Sequence, residues 1–432
     1  MALNQAIAQA IEKLRYRATA GDVAVQAGLN INFTQQGLLV LAADVGGHLQ
    51  VAESGEIVYL FPPNFRSILR NKFWQLRWQE FWQRIWQFFS YLIRISFGIV
   101  LVISILLIFV TIFVIIVTLN SSRGSGDNND NDGGSGGGIF LPHFWFNPNL
   151  FWFFDWDYNP STRRQQEKKQ PGEMNFLEAV FSFLFGDGDP NANLEERRWQ
   201  AIAATIRYHQ GAVVAEQIAP YLDNLGTGYS QEYEDYMLPI LVRFEGRPEV
   251  NPEGQIIYHF PELQVTASAS ESAQPVLPYL KEKLWQFSQA NSQQIMLAVG
   301  LGAVNIIGAL ILGSLLADGK VALAGGLVAF VSSIYWFLLA YGIAFLAIPL
   351  IRYFLIQRRN TKIAVRNEQR QARASLLAPA AEALQKKIAY AQSFAAQSVI
   401  SNQNLAYTTE TDLLPQEIDG EMGRWGDGEI GR

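Results

Sequence analysis

The sequence contains no cysteine in its 432 residues. A chain without thiols forms no disulfide, and it offers no thiolate to act as a nucleophile or to hold zinc or an iron–sulfur cluster. Charged residues are also scarce, at 17%, where ordinary soluble domains have about 25%. The 33 basic residues do not outnumber the 39 acidic ones, so the formal charge of −6 provides no general attraction for nucleic acid.

Sequence patterns for catalysis are missing as well. The chain has four histidines, and none of them follows the spacing of a metal-binding helix. There is no phosphate-binding loop, no nucleophile elbow and no dinucleotide-binding fingerprint. We therefore expect a protein that is not an enzyme, with no catalytic residues, no metal site and no cofactor.

Hydrophobic residues make up 49% of the chain and are concentrated in three long runs. Residues 95–119 carry no charge, and at 1.5 Å per residue a helix of this length crosses a hydrocarbon layer of about 30 Å. Residues 295–317 and 321–351 form a second and a third run. Small residues such as Ala298, Gly302 and Ala309 favour close helix packing, either within this pair or with a partner's helices. The sequence predicts three transmembrane helices.

A short segment of the chain occurs twice. Residues 54–62 (SGEIVYLFP) recur as residues 253–261 (EGQIIYHFP). Both copies follow three predicted helices and form the second arm of a predicted hairpin. Three helices followed by a two-stranded wing are typical of a winged-helix domain. The repeated residues, which we interpret as structural, are Gly55, Ile57, Tyr59, Phe61 and Pro62, matched by Gly254, Ile256, Tyr258, Phe260 and Pro261.

The predicted fold class is an α+β membrane protein. It has two repeated winged-helix-like domains, each followed by an amphipathic helix and a transmembrane helix. The predicted segments are a first winged-helix-like domain (1–65), a Trp-rich amphipathic connector (66–94), transmembrane helix 1 (95–119), a flexible linker (120–138), an aromatic interfacial segment with a short helix (139–192), a second winged-helix-like domain (193–265), a second connector (275–294), transmembrane helices 2 (295–317) and 3 (321–351), a basic helical region (352–403) and a disordered acidic tail (404–432).

Tryptophan recurs every fourth residue in the first connector. This spacing, together with nearby basic residues, suits a helix lying at the headgroup level, where indole rings anchor and cations meet anionic lipid. We expect this helix to contact membrane lipid through Trp74, Trp78, Trp82, Trp86, Arg70, Lys72, Arg77 and Arg84.

The distribution of basic residues raises a question of topology. Basic residues precede the first run and follow the third, so the positive-inside rule places both ends on the cytoplasmic side. Three crossings alone cannot achieve that. We expect either a return path through residues 139–156 and 176–185 or two repeats of inverted orientation.

The two winged-helix-like domains lack the charges of a DNA reader. The third predicted helix of the first domain, residues 31–45, contains no Lys or Arg. Residues 1–65 carry three basic and five acidic residues, and residues 193–263 carry five and eleven. Because phosphates would repel such surfaces, the sequence favours protein binding over nucleic-acid binding.

Residues 55–62 (GEIVYLFP), 175–191 (NFLEAVFSFLFGDGDPN) and 258–263 (YHFPEL) carry a family resemblance. Together they resemble a family of cyanobacterial membrane proteins with chloroplast relatives in plants. The resemblance implies a photosynthetic organism and a thylakoid or similar membrane, and it assigns no activity. Some plant relatives are labelled as iron–sulfur cluster biosynthesis proteins, a role for which this chain lacks the cysteines.

From these observations we expect an integral membrane adaptor or assembly factor in the thylakoid or plasma membrane of a cyanobacterium. Its domains would face the cytoplasm or stroma and bind protein partners, for example a photosynthetic complex. One alternative is a membrane-tethered transcription regulator, which would bind DNA with steep salt dependence. Another is a small-solute transporter or channel, although the predicted spans contain no Asp, Glu, Lys, Arg or His.

Overall fold

A computed structural model describes residues 2–72, 74–123, 174–267, 276–317, 326–377, 382–401 and 404–410. Its residues fall into two compact units. The head unit comprises residues 1–78, 191–282 and 365–432, and the membrane unit comprises residues 79–190 and 283–364.

The described elements are numbered in chain order. The helices are α1 (Ala2–Lys13), α2 (Ala20–Ala27), α3 (Ile31–Val45), α4 (Phe65–Lys72), α5 (Trp74–Arg123), α6 (Phe176–Phe185), α7 (Leu194–Tyr208), α8 (Ala215–Ile218), α9 (Tyr229–Glu232), α10 (Leu238–Phe244), α11 (Ser292–Ala317), α12 (Gly326–Ser375) and α13 (Glu382–Gln392). The strands are β1 (Arg17–Thr19), β2 (His48–Ala52), β3 (Ile57–Leu60), β4 (Ala212–Val213), β5 (Arg247–Val250), β6 (Ile256–His259), β7 (Val265–Thr266), β8 (Ser398–Val399) and β9 (Leu405–Thr408).

The first module of the head unit contains α1 to α3 and β1 to β3. A capping box starts α2: the Thr19 hydroxyl accepts the Asp22 N–H at 3.0 Å, and the Asp22 carboxylate accepts the Thr19 N–H at 2.9 Å. Gly28, at φ +66°, ends this helix. Strand β3 lies between β1 and β2 and pairs antiparallel with both. The helices bury Ile7, Ile11, Leu38, Leu41 and Tyr59 in one core.

The second module contains α7 to α10 and β4 to β6. Strand β6 lies between β4 and β5 and is antiparallel to both, which is the strand order of the first module. Helices α8 and α10 are short, and α10 is preceded by a 3₁₀ turn at Asp235–Met237. The core of this module includes Ala24 and Ile31 of the first module, so the two modules share buried surface.

The C-terminal segment, which comprises α13, β8 and β9 (residues 382–410), contacts both modules. Ala391 near the end of α13 packs on Val214 and Ile257 of the second module. Strand β8 pairs in parallel with β7, and β9 pairs antiparallel with β2. The prediction of a disordered tail from residue 404 is therefore wrong for residues 404–410, because β2 offers an edge to which this short apolar strand adds. Residues 411–432 lie outside the described residues.

Three described helices, within α5, α11 and α12, are long and apolar enough to cross a membrane, as predicted. In the membrane unit α5 and α11 run parallel: the Asn305 side-chain N–H donates to the Ser104 hydroxyl at 2.5 Å, and Gly308 faces Ile108. Helix α12 runs antiparallel to α11, because Gly302 faces Phe345 and Gly313 faces Tyr335. The alternative of inverted repeats does not fit this arrangement, since both following spans point the same way.

Helix α6 packs at the end of the membrane unit where α5 enters it. The Phe97 and Phe185 rings lie 4.8 Å apart, and Leu177 contacts Gly98. Ten residues make a helix of about 15 Å, which is too short to cross the membrane. Helix α6 is therefore not a crossing element by itself. The predicted flexible linker (120–138) is helical over residues 120–123, which belong to α5, and residues 124–173 lie outside the described residues.

The two connectors differ from their predictions. Helix α5 is continuous from Trp74 to Arg123, so no break separates the predicted amphipathic helix from the first span. The second predicted amphipathic helix, 275–294, is absent over residues 276–291, where the chain is irregular. Its backbone is bonded by side chains instead: Asn360 accepts the Trp285 N–H at 2.8 Å and donates to the Trp285 carbonyl at 2.9 Å. Pro278 also disfavours a helix in the first part of the predicted segment 275–294.

Two glycines of α11 provide a matched test of helix packing in the membrane unit. A Cβ atom at Gly302 would lie 2.6 Å from the Phe345 ring and 2.8 Å from Leu346, whereas one at Gly300 would meet nothing within 4 Å. We expect Gly302→Ala to destabilise the protein by about 1–3 kcal/mol through overpacking. Gly300→Ala should leave stability unchanged or raise it, because alanine is the better helix former. Thermal denaturation in mild detergent measures both, and equal midpoints for the two variants would contradict this packing.

Candidate protein-docking site

The repeated hairpin residues occupy equivalent positions in the two modules. Gly55 and Gly254 lie in the hairpin turns with φ of +89° and +81°, and each donates its N–H to the carbonyl three residues earlier. Such left-handed backbone favours glycine. The side chains of Tyr59, Phe61, Tyr258 and Phe260 are buried, those of Ile57 and Ile256 are half-buried, and Pro62 and Pro261 follow the second strand. These residues therefore build the hairpins, and apart from the two exposed turn glycines they are buried or half-buried.

The two hairpins are also buried on the face that sequence alternation assigns to solvent. Val58 is fully buried against Ala52, Ala267 and Ile400. Ile257 is fully buried against Val214 and Ala391. The C-terminal segment supplies Ile400 and Ala391, so it covers the second face of both sheets. The continuous apolar runs Ile57–Tyr59 and Ile256–Tyr258 were the sequence signal for this.

The predicted lipid-contacting residues lie on two helices. Trp78, Trp82, Trp86 and Arg84 are exposed on α5. Trp74 and Arg77 are also on α5, and Arg70 and Lys72 are on α4, but their side chains lie outside the described structure. Because α5 is continuous, the exposed tryptophans follow the axis of the first span. Their contact with lipid headgroups stays a prediction.

The last helix before the hairpin of each module, which corresponds to the third predicted helix, exposes apolar side chains that the sequence interpretation did not single out. Helix α3 begins after Asn30, whose side chain accepts the Phe33 N–H at 3.3 Å, and it buries Ile31, Leu38 and Leu41. Its opposite side exposes Phe33 to 60% and Val40 to 56%, with Leu39 beside them. Helix α10 exposes Leu238 to 57% and Val242 to 73%. We call these two exposed surfaces the α3 face and the α10 face.

The same positions are exposed in both modules. When the repeated segments are aligned without a gap, Leu39 corresponds to Leu238 and Ala43 to Val242, and all four side chains are exposed. The correspondence of Leu39 with Leu238 is visible in the sequence. Their exposure is not, because it depends on what the rest of the chain covers.

The cation next to the α10 face points away from it. The Arg243 guanidinium lies 4.2 Å from the Trp199 ring centre and donates to the Gly28 carbonyl at 2.6 Å and 3.1 Å. Burial lowers the pKa of Arg243, although the charge of Glu195 partly opposes this. The α10 face therefore presents its apolar side chains without this arginine.

A buried ion pair fixes the two modules together within the head unit. Arg207 of α7 donates to the Asp22 carboxylate at 2.7 Å. The other carboxylate oxygen of Asp22 accepts the Ala267 N–H at 2.9 Å, besides the Thr19 N–H of the capping box. Asp22 is thus held by three elements of the head unit, and the orientation of α3 relative to α10 is fixed by ordered contacts.

A second ionic cluster anchors the last turns of α12 to the second module. Arg370 is buried, donates to Glu282 at 2.8 Å and to the Leu280 carbonyl at 3.0 Å, and pairs with Asp223. Arg366 also donates to Glu282, at 2.6 Å and 2.7 Å. The hydrogen bond from Arg366, together with the charge of Arg370, lowers the pKa of Glu282 against the effect of burial. Burial pushes the pKa of Asp223 upward, but Arg370 and Arg198 outweigh it and lower the pKa.

A buried lysine attaches the C-terminal helix to the second module. Lys387 of α13 donates to Glu216 at 3.0 Å and to Glu234 at 2.8 Å. Glu234 also accepts the Tyr258 hydroxyl at 2.7 Å. Burial raises the pKa of this tyrosine, as do the hydrogen bond and charge of Glu234. The cluster is fully paired, which is the pattern of a structural contact. Across the described part of the chain, no three His, Cys, Asp or Glu side chains are grouped so as to hold a metal ion.

Comparison with known proteins gives one informative match. A chloroplastic protein of Arabidopsis thaliana, named as uncharacterized, is 37% identical to this chain over 422 residues, which is 95% of this chain and 79% of the relative. Its name carries no iron–sulfur label. No family model matches the chain. No solved structure matches it either.

The Arg370–Glu282 cluster predicts a specific pH dependence. Because the pKa of Glu282 is lowered in the folded state, its stabilising contribution is complete at neutral pH and is lost as the pH falls below about 4–5, through the folded-state pKa. Glu282→Gln should cost about 3 kcal/mol at pH 7, since it leaves the buried Arg370 short of one carboxylate. The difference between wild type and variant should then shrink towards pH 3. Circular dichroism during denaturation measures this difference.

Glu382→Gln is the matched control for that experiment. Glu382 pairs with Lys386 on the exposed surface of α13, where an ion pair contributes little. We expect no measurable change at any pH. If Glu382→Gln lowered the free energy of unfolding as much as Glu282→Gln does, the buried cluster would contribute no more to stability than an exposed ion pair.

Proposed function

This chain belongs to the family of the chloroplastic Arabidopsis protein, and we propose that it is a membrane-anchored docking protein that binds protein partners through the α3 and α10 faces. It is a membrane-associated protein with three helices suited to cross a bilayer. In this proposal the head unit has no catalytic role. It recruits or positions a partner during assembly or regulation of a photosynthetic complex.

We interpret the two modules as copies of one winged-helix unit. The shared strand order, with β3 and β6 each in the centre, supports this interpretation. So do the equivalent backbone bonds from Phe61 to the Tyr16 carbonyl, at 2.8 Å, and from Phe260 to the Gly211 carbonyl, at 2.7 Å. In this fold the third helix is the element that contacts a partner, and here α3 and α10 take that place.

The observation that carries the proposal is the exposure of large apolar side chains on both third helices. Phe33 and Val40 on α3, and Leu238 and Val242 on α10, lie among the most exposed apolar side chains of the head unit. Exposed apolar patches bordered by polar residues mark protein interaction sites. A DNA-binding helix would need outward Arg or Lys, whereas α3 has neither and Arg243 of α10 points inward. This arrangement supports a protein partner over DNA.

The membrane unit gives less support to a transporter or channel. Asn305, the most polar residue of the predicted spans, is buried and bonded to Ser104. Transport sites depend on ionisable groups or on broken helices lining a cavity. Helices α5, α11 and α12 are continuous through their apolar stretches. We therefore assign the spans to anchoring, with lipid as their neighbour.

The proposed location is a thylakoid-type membrane, with the head unit on the stromal or cytoplasmic side. The chloroplastic relative supports a photosynthetic membrane. Basic residues before α5's apolar stretch and after that of α12 support this orientation.

Site-specific photocrosslinking in membranes of a photosynthetic host tests the proposed function. We expect a photoreactive residue at position 242 or 40 to yield a protein adduct that position 250 does not yield. Val250 is the control because it is 59% exposed in the same head unit and belongs to β5, not to α3 or α10. We also expect Val242→Lys to lower the yield of the protein adduct at position 40 at least fivefold. The amount of partner that co-purifies with the variant should fall by the same factor. Lipid adducts alone at positions 242 and 40 would contradict the proposal.

A further inference from the structure

The α10 face has acidic residues at both ends. Leu238 and Val242 are four residues apart and therefore lie on one side of the helix. Asp235 precedes Leu238 by three residues, and Glu245 follows Val242 by three. Both acidic residues are exposed, and Asp235 accepts the Ser230 hydroxyl at 2.7 Å. The result is an exposed apolar strip with a negative charge at each end.

Two exposed tyrosines precede this strip in the sequence. Tyr229 and Tyr233 of α9 are exposed, and their ring centres lie 4.1 Å apart. Tyrosine supplies a large contact area at low cost in conformational entropy and is enriched in protein interfaces. Glu232 lies between them and is also exposed. The two tyrosines therefore have an exposed acidic residue beside them, as the α10 face does.

The arginines of the second module do not offset this charge at the surface. Residues 193–263 carry eleven acidic and five basic side chains. Arg198 is paired with Glu195 and Asp223, Arg207 with Asp22, and Arg243 is folded onto Trp199. Arg197 donates to Asn191 at 3.3 Å, and only Arg247, in β5, is exposed. Four of the five basic side chains thus point to partners within the head unit, while Asp235, Glu245 and Glu232 face solvent.

We infer that the α10 face binds a basic amphipathic helix of a partner protein, with apolar side chains on Leu238 and Val242 and Lys or Arg near Asp235 and Glu245. This inference rests on the proposed docking function and adds the chemistry of the partner. Charge complementarity steers such a pair together and rejects acidic partners. The same charges oppose docking of this face on anionic lipid, because headgroups and surface would repel each other.

Peptide binding to the full chain in phosphatidylcholine nanodiscs tests the inference. The probes are a labelled 18-residue helical peptide of Leu and Lys and a matched peptide of Leu and Glu. We expect the Lys peptide to bind at least tenfold more tightly in fluorescence anisotropy, with affinity falling as salt is raised. Val242→Lys should weaken its binding at least tenfold. Val250→Lys, which adds the same charge at another exposed valine, should change it less than twofold.

A second variant separates the charge from the apolar contact. Asp235→Asn combined with Glu245→Gln keeps Leu238 and Val242 in place and should weaken binding of the Lys peptide about five- to tenfold. It should not weaken binding of the Glu peptide. Far-ultraviolet circular dichroism and the denaturation midpoint confirm that each variant is folded.

The outcomes distinguish this inference from the proposed function. Equal affinity for both peptides, lost in Val242→Lys, would overturn the charge inference and leave protein docking intact. Equal effects of Val242→Lys and Val250→Lys, or no binding of either peptide, would overturn the inferred partner chemistry, while photocrosslinking decides docking independently. Binding of phosphatidylglycerol vesicles through Val242 would identify lipid as the occupant and overturn it as well.

Discussion

Each small sheet of the head unit has two apolar faces, and the helices of its own module cover only one of them. Val58 and Ile257 lie on the other face and would be exposed in an isolated module. The C-terminal segment covers them through Ile400 and Ala391. Burial of a large aliphatic side chain contributes about 1.5–3 kcal/mol, so this cover accounts for a substantial part of the stability of a small module. The two modules and the C-terminal segment therefore form one cooperative structure.

The buried ion pairs of the head unit also join separate parts of the chain. Asp22 joins the first module to Arg207 of the second, and Arg370 joins the second module to the last turns of α12. Breaking such buried pairs costs far more than forming them contributes, so they act mainly to fix one arrangement. Arg243, the arginine of α10, likewise donates to the Gly28 carbonyl of the first module, and α3 has no arginine. The contacts that fix the modules thus also leave the proposed docking faces without an arginine.

Strongly periodic segments were predictable from the sequence, and contacts distant in the chain were not. The three helices and the hairpin of the first module, and the three apolar spans, follow from local patterns of apolar and polar residues. The irregular backbone at Trp285 depends on Asn360, which is remote in sequence, and β9 depends on an open edge at β2. The candidate site shows the same limit. Leu238 could be aligned with Leu39, but its exposure depends on what the remaining chain leaves uncovered.

The pairing of β9 with β2 has a consequence for how the protein is made. Strand β2 leaves the ribosome early, whereas β8 and β9 emerge only after all three apolar spans have been synthesised. During that interval the first module carries an open strand edge and an uncovered Val58, which are features that chaperones recognise and that promote aggregation. The first module can therefore be completed only after the three apolar spans have been synthesised, since a nascent chain that ends before residue 398 has an unfinished sheet.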